Sequence, residues 1–251
     1  MTQHERIASA SIATSAAAAA GVVVRADGLG KDIDSRAVLD DLRFSIPSGE
    51  FVALLGANGA GKSTLLKVLA TLIQPSRGSL TMFGQDVTAD AVGIRARIGV
   101  IGHGAMLYRD LSPVENLVFF ARLYRVPRPQ ERAMELLNWL GLGARAHDPV
   151  RTFSRGMMQR VSIARALVHQ PQMLLADEPF TGLDAPSAAA IGRLLLTLRD
   201  EGRTVILANH DIAQSLDMAG RVIALRRGRI VLDEPASDLT PAGVLREVSA
   251  T

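Results

Sequence analysis

Five consecutive apolar residues, Phe51-Val52-Ala53-Leu54-Leu55, run straight into Gly56-Ala57-Asn58-Gly59-Ala60-Gly61-Lys62-Ser63, and a segment with Leu65, Leu66, Leu69 and Leu72 at helical spacing follows. An apolar run without alternation is a strand covered on both faces, and the spacing after it marks the inner face of a helix. Strand, glycine loop and helix in this order form the context in which G-x-x-x-x-G-K-[ST] cradles phosphate. The glycines let backbone N–H groups approach phosphate oxygens, the helix start adds positive potential, and Lys62 neutralises the outer phosphates. Ser63 is expected to ligate Mg²⁺ through its hydroxyl, with Thr64 next in the first helical turn. The pattern commits the chain to an α/β layer structure with a nucleotide at a strand end.

Residues 153–184 hold pieces of two sites. Leu174-Leu175-Ala176-Asp177-Glu178 is an apolar strand ending in two carboxylates, where ligands of open parallel sheets bind. Neighbouring side chains on a strand point apart, so Asp177 is expected to hold Mg²⁺ and Glu178 to face the attacking water. Upstream, Ser154-Arg155-Gly156-Met157 opens a helix, and Ser154 with the free N–H groups there makes a second anion site. One nucleotide cannot use both helix starts. The surplus half-site implies a protein that works as a pair.

The rest of the chain sets limits. A net charge of +3 on 251 residues gives no case for nucleic acid, and the absence of cysteine excludes disulfides and thiolate metal sites. The apolar-leaning run at 16–24 falls short of the roughly 20 residues a membrane helix needs, and no secretory pattern precedes it, so a cytoplasmic location is expected. Residues 1–20, rich in Ala, Ser and Thr, read as a disordered tail, residues 21–236 as one nucleotide-binding domain, and residues 237–251 as a C-terminal tail. Further strands are expected at 97–101, 173–176 and 204–208. Helices are expected at 113–124 and 131–140, placing a helical lobe of about residues 103–157 inside a sheet lobe.

The order of motifs over residues 22–232 resembles the ATP-binding subunit of ABC transporters. Gly56 to Ser63 matches Walker A, Phe153-Ser154-Arg155-Gly156-Met157 the signature, and Leu174 to Glu178 Walker B. Thr181-Gly182-Leu183-Asp184 matches the D-loop and His210 the switch histidine. The resemblance implies a P-loop NTPase of the ABC ATPase fold, with a RecA-like sheet lobe and an inserted helical subdomain. It also implies ATP and Mg²⁺ as cofactors, hydrolysis through Glu178 and His210, and nucleotide contacts from Asp184. The implied partners are a second copy or a homologous ATPase subunit, facing head to tail so that Ser154 and Gly156 close over the other subunit's ATP. Integral membrane permease subunits are implied too, holding the chain peripherally on the cytoplasmic face of the cell membrane. They would dock near residues 103–124, including Leu117, Val118, Phe119, Phe120 and Leu123.

Three departures from the family pattern stand out. His103 falls where the Q-loop glutamine belongs, Ile33 near the usual adenine-stacking aromatic, and Arg155 and Met157 replace a glycine and the glutamine of the signature. Imidazole is a poor Mg²⁺ ligand, so His103 is expected either to hydrogen-bond at the site or to be structural. His103-Gly104-Ala105-Met106-Leu107-Tyr108, Phe153-Ser154-Arg155-Gly156-Met157 and Asp177-Glu178-Pro179-Phe180-Thr181 together are similar to the haem-exporter ATPase of cytochrome c maturation. Haem export is therefore the expectation. Export of a drug, antibiotic, sodium or polysaccharide, and a soluble non-transport ABC ATPase, are the alternatives.

Overall fold

A computed structural model of the chain describes residues 21–102 and 104–249. The expected tail at 1–20 and His103 lie outside the described residues. The first strands, β1 (Val22–Ile33) and β2 (Arg36–Pro47), form a hairpin. Its two turn residues, Asp34 and Ser35, both take positive φ, 48° and 62°, the mirror-image turn whose twist suits adjacent strands. With β4 (Arg77–Met82) and β5 (Gln85–Asp86) they make an antiparallel sheet in the order β2-β1-β4-β5. Ile33, at the end of this hairpin, is 42% exposed.

The second sheet runs β10-β9-β3-β8-β7-β6. Its parallel part comprises β3 (Phe51–Leu55), β6 (Ile98–Ile101), β7 (Met173–Asp177), β8 (Thr204–Ala208) and β9 (Arg221–Arg226), and β10 (Arg229–Pro235) closes one edge antiparallel. The unbroken apolar sequences of these strands follow from the layering. Val52 and Leu54 of β3, Leu175 of β7 and Ile206 of β8 pack toward Leu29, Leu39 and Leu80 of the antiparallel sheet. Their neighbours Ala53, Leu55, Leu174, Ala176, Val205 and Leu207 face a second core shared with the helices. With both faces covered, each such leucine contributes about 1.5–3 kcal/mol.

The helices are α1 (Lys62–Leu69), α2 (Ala91–Arg95), α3 (Pro113–Leu123), α4 (Pro129–Trp139), α5 (Arg155–Leu167), α6 (Ala185–Asp200), α7 (Ile212–Met218) and α8 (Pro241–Ser249). Helix α3 begins with a capping box, Ser112 Oγ accepting from Glu115 N–H and Glu115 Oε2 from Ser112 N–H. Buried Asn116 donates to Tyr108 O and accepts from Tyr108 N–H, fixing the loop before the helix. Leu117, Ala121 and Leu137 of α3 and α4 share one core with Leu174 and Ala176 of the sheet.

One detail differs from the sequence reading. The chain leaves α1 after Leu69, with Thr71 at φ 55°, so Leu65, Leu66 and Leu69 are buried whereas Leu72 is 59% exposed. Beyond Leu232, β10 continues to Pro235, and the C-terminal tail expected at 237–251 carries α8, which packs on β9 and α7 and buries Val244 and Val248.

Candidate functional site

The glycine loop joins β3 to α1, and its conformation is enforced by the fold around it. A Cβ on Gly56 would collide with Leu225 O of β9, and one on Gly61 would stand 2.8 Å from Leu39 Cδ2 and 3.0 Å from Val38 O. Backbone packing thus demands glycine at both ends of the loop, while Ala57, Asn58 and Gly59 between them are exposed. Lys62 is 6% exposed, and its Nζ donates to Gly56 O (2.7 Å) and Ala57 O (3.1 Å). Burial pushes its ammonium below the ordinary lysine range, opposed by the charges of Glu178 and Asp177. The first intrahelical bond is Leu65 N–H to Gly61 O, so the N–H groups of Lys62, Ser63 and Thr64 lack intrahelical acceptors at the positive end of α1.

Ser63 Oγ donates to Asp177 Oδ1 at 3.2 Å, joining the loop to the end of β7. A hydroxyl and a carboxylate are hard oxygen donors suited to Mg²⁺, which keeps waters and phosphate oxygens in its remaining positions. Among the described residues no cluster of three or more His, Cys, Asp and Glu could hold a metal alone. The residues present therefore fit Mg²⁺ shared with a phosphate. Beside them opens a cleft of about 390 Å³ lined also by Gly102, Gly104 and Met106.

Glu178 is not the next residue of a strand. β7 ends at Asp177, and Glu178 takes φ 50° while its N–H donates to Ala208 O (2.9 Å). The alternation argued from sequence therefore stops one residue early, and a left-handed turn aims this carboxylate, at a cost of about 1–2 kcal/mol. Its Oε2 accepts from Thr181 Oγ1 at 3.0 Å and lies 3.6 Å from His210 Nδ1. His210 follows β8 with a mostly exposed ring. Buried Asn209 holds that turn, accepting from His210 N–H (2.9 Å) and donating to Gln214 Oε1 (3.1 Å).

None of the hydrogen bonds that the signature residues make among the described residues reaches this constellation. Ser154 caps α5, accepting from Met157 N–H at 3.3 Å, and Gly156 is buried where a Cβ would meet Ser187 Oγ at 2.7 Å. Asp184, expected at the nucleotide, is the N-cap of α6, and its bond from Ser187 holds its carboxyl below the usual range. Arg145 was not anticipated. Its guanidinium lies 4.8 Å over the Phe153 ring and donates to Thr152 Oγ1, Met157 Sδ and Asp148, gripping the signature from the helical side. No motif marks Arg145, because its partners meet only in three dimensions. Of the expected docking residues, Leu117 is fully buried, while Phe119 and Leu123 are exposed beside Met106, Tyr108 and Tyr124.

The family model for ABC transporters matches residues 39–181. The chain belongs to the ABC transporter family. Its α/β structure is the ABC ATPase fold, and the ABC domain is an ATPase. The daunorubicin/doxorubicin resistance ATP-binding protein DrrA of Streptomyces peucetius is 36% identical over 218 residues, 86% of this chain and 66% of that protein. The linearmycin resistance ATP-binding protein LnrL of Bacillus subtilis is 31% identical over 219 residues, 86% of this chain and 70% of that one. The chain thus spans about two thirds of the length of these relatives. Among solved structures, cbiO1 of Clostridium perfringens, part of the ABC transporter complex cbiONQ, superposes with TM-score 0.80 at 27% identity, covering 90% of this chain and 94% of that one. The dimeric ATP-binding cassette MJ0796, in a post-hydrolysis state with ADP and Pi, gives 0.77 at 29% identity, covering 85% and 98%. No helix among the described residues of this ABC ATPase is long and apolar enough to cross a membrane.

Proposed function

We propose that this chain is the ATP-hydrolysing subunit of an ABC exporter. Two copies, or one copy and a homologous ATPase subunit, would close head to tail over two ATP molecules and drive a membrane permease from its cytoplasmic face. The observation that carries the reading is the split between two groups of residues. Lys62, Ser63, Asp177, Glu178 and His210 converge on one loop, whereas Ser154 and Gly156 open a separate helix with no hydrogen bond to them among the described residues. The dimeric post-hydrolysis structure of a relative supports the two-copy arrangement.

In this reading the loop N–H groups and Lys62 bind the phosphates, and Ser63 and Asp177 would hold Mg²⁺, which would supply charge neutralisation at the phosphates. Glu178 orients a water and takes its proton, and His210 donates toward the γ-phosphate. Ser154 and the N–H groups beside it complete the site of the opposite subunit, and Asp184 helps position that contact from the start of α6. For His103 the proposal is a hydrogen-bonding role at the nucleotide rather than Mg²⁺ ligation. The surface carrying exposed Met106, Tyr108, Phe119, Leu123 and Tyr124 is where the permease would dock.

The resistance functions in the names of the relatives support a drug or antibiotic as cargo over haem. The haem expectation rested on the stretches at 103–108, 153–157 and 177–181, and the names of the relatives do not support it. The test is purification in detergent from membranes, with ATP turnover assayed with and without the associated protein. Recovery with an integral membrane protein that alters turnover on adding an amphipathic drug supports the reading. Recovery as an active soluble complex free of membrane protein overturns it.

A further inference from the structure

Arg155 stands where the family's signature carries a glycine, and the structure gives it a specific resting place. A Cβ built on Gly182 would lie 2.5 Å from Arg155 Cζ, 2.6 Å from Nη1 and 2.8 Å from Nε. Three guanidinium atoms at nearly equal range mean that the guanidinium lies face-on against the bare Cα of Gly182. Only the missing side chain at Gly182 leaves that room. The Arg155 side chain has no hydrogen bond or ion pair among the described residues, which leaves the Gly182 contact as its partner in the structure. Gly182 follows Thr181, whose Oγ1 donates to Glu178 Oε2 at 3.0 Å. One flat contact and one hydrogen bond therefore connect the start of α5 to the carboxylate beside His210.

We infer that Arg155 is a positioning residue that holds the Thr181-Gly182 turn against the signature helix and thereby fixes the Glu178 carboxylate. The inference rests on the two-copy reading in one respect: the start of α5 serves the nucleotide of one site while Glu178 serves the other. Under that arrangement Arg155 ties closure of one site to the alignment of the second within a single chain. Planarity is the property used, since a guanidinium can lie on a glycine and an ammonium cannot.

The test is a mutant cycle on the full chain with its membrane partner, reading ATP turnover, the Hill coefficient for ATP and thermal stability. Both Arg155→Ala and Gly182→Ala should lower turnover roughly 10-fold, below the ~10²-fold that misplacing a reacting group can cost. Each should move the Hill coefficient toward 1 while Arg155→Ala leaves the unfolding midpoint unchanged. The double variant should be no slower than the slower single one, because an added Cβ at Gly182 only displaces the same guanidinium. Arg155→Lys should behave like Arg155→Ala. Additive losses, or full activity in Arg155→Lys, overturn the inference. ATP-dependent dimerisation of Glu178→Gln, followed by size-exclusion chromatography, separates the two layers. If the dimer forms and the cycle is additive, the Arg155 assignment alone fails; if no dimer forms, the two-copy reading fails with it.

Discussion

His210 Nδ1 lies 3.6 Å from Glu178 Oε2, and the same oxygen accepts the Thr181 hydroxyl. Two groups from different strand ends thus meet on one carboxylate oxygen, leaving Oε1 to address a water. The Glu178→Gln variant keeps the shape and loses the base. Turnover should fall about 10²- to 10⁴-fold with ATP binding preserved, and the variant should accumulate as an ATP-bound dimer. Steady-state turnover with a binding titration and size-exclusion chromatography checks all three; unchanged turnover would remove Glu178 from the mechanism.

Thr181 tests the turn rather than the base. Thr181→Val retains the branched shape and removes the only hydroxyl that donates to Glu178 among the described residues. Turnover should drop roughly 10-fold with little change in KM for ATP, because the glycine loop proposed to bind phosphate is untouched. A KM effect without a kcat effect would place Thr181 in nucleotide binding.

What sequence made legible was whatever depends on local spacing. The unbroken apolar strands and the glycine loop declare themselves because their periods are set by layering and by phosphate geometry. The Glu178 turn was not legible, since alternation says nothing about where a strand stops. Leu72 failed for the same reason at the end of a helix. Arg145 and Asn209 were invisible because their partners are assembled from distant segments, and Asp184 was read by motif although the structure uses it first as a helix cap.

Arg145 supplies a test of that tertiary clamp. Removing it in Arg145→Ala frees Phe153, Thr152 and Met157 together, the residues around capping Ser154. Turnover at saturating ATP should fall several-fold, on the order of the effect of a displaced positioning group. Affinity of one isolated subunit for ATP should stay unchanged, as measured by a fluorescent nucleotide, because in the proposed two-copy arrangement the signature would serve the opposite site. A weakened single-subunit affinity would contradict the division of labour between α1 and α5.

Burial of Lys62 in the glycine loop makes stability depend on pH with a definite sign. Burial holds the Lys62 ammonium below its ordinary range, so the folded chain releases that proton at lower pH than the unfolded chain. Between the lowered value and about 10.4 the unfolded state binds more protons, and stability therefore rises with pH across that window. Below the window the buried charge is a constant penalty. Lys62→Met removes the charge and its two bonds to Gly56 O and Ala57 O, keeping the apolar stem. In denaturant titrations without nucleotide, the stability of Lys62→Met relative to the parent chain should decline as pH rises through the window toward about 10.4, since only the parent gains there. The same variant should lose the stabilisation that ATP confers on the parent chain at neutral pH. A difference independent of alkaline pH would mean that the ammonium is not held against its preference for water, and that the loop does not store the charge that a phosphate would later satisfy.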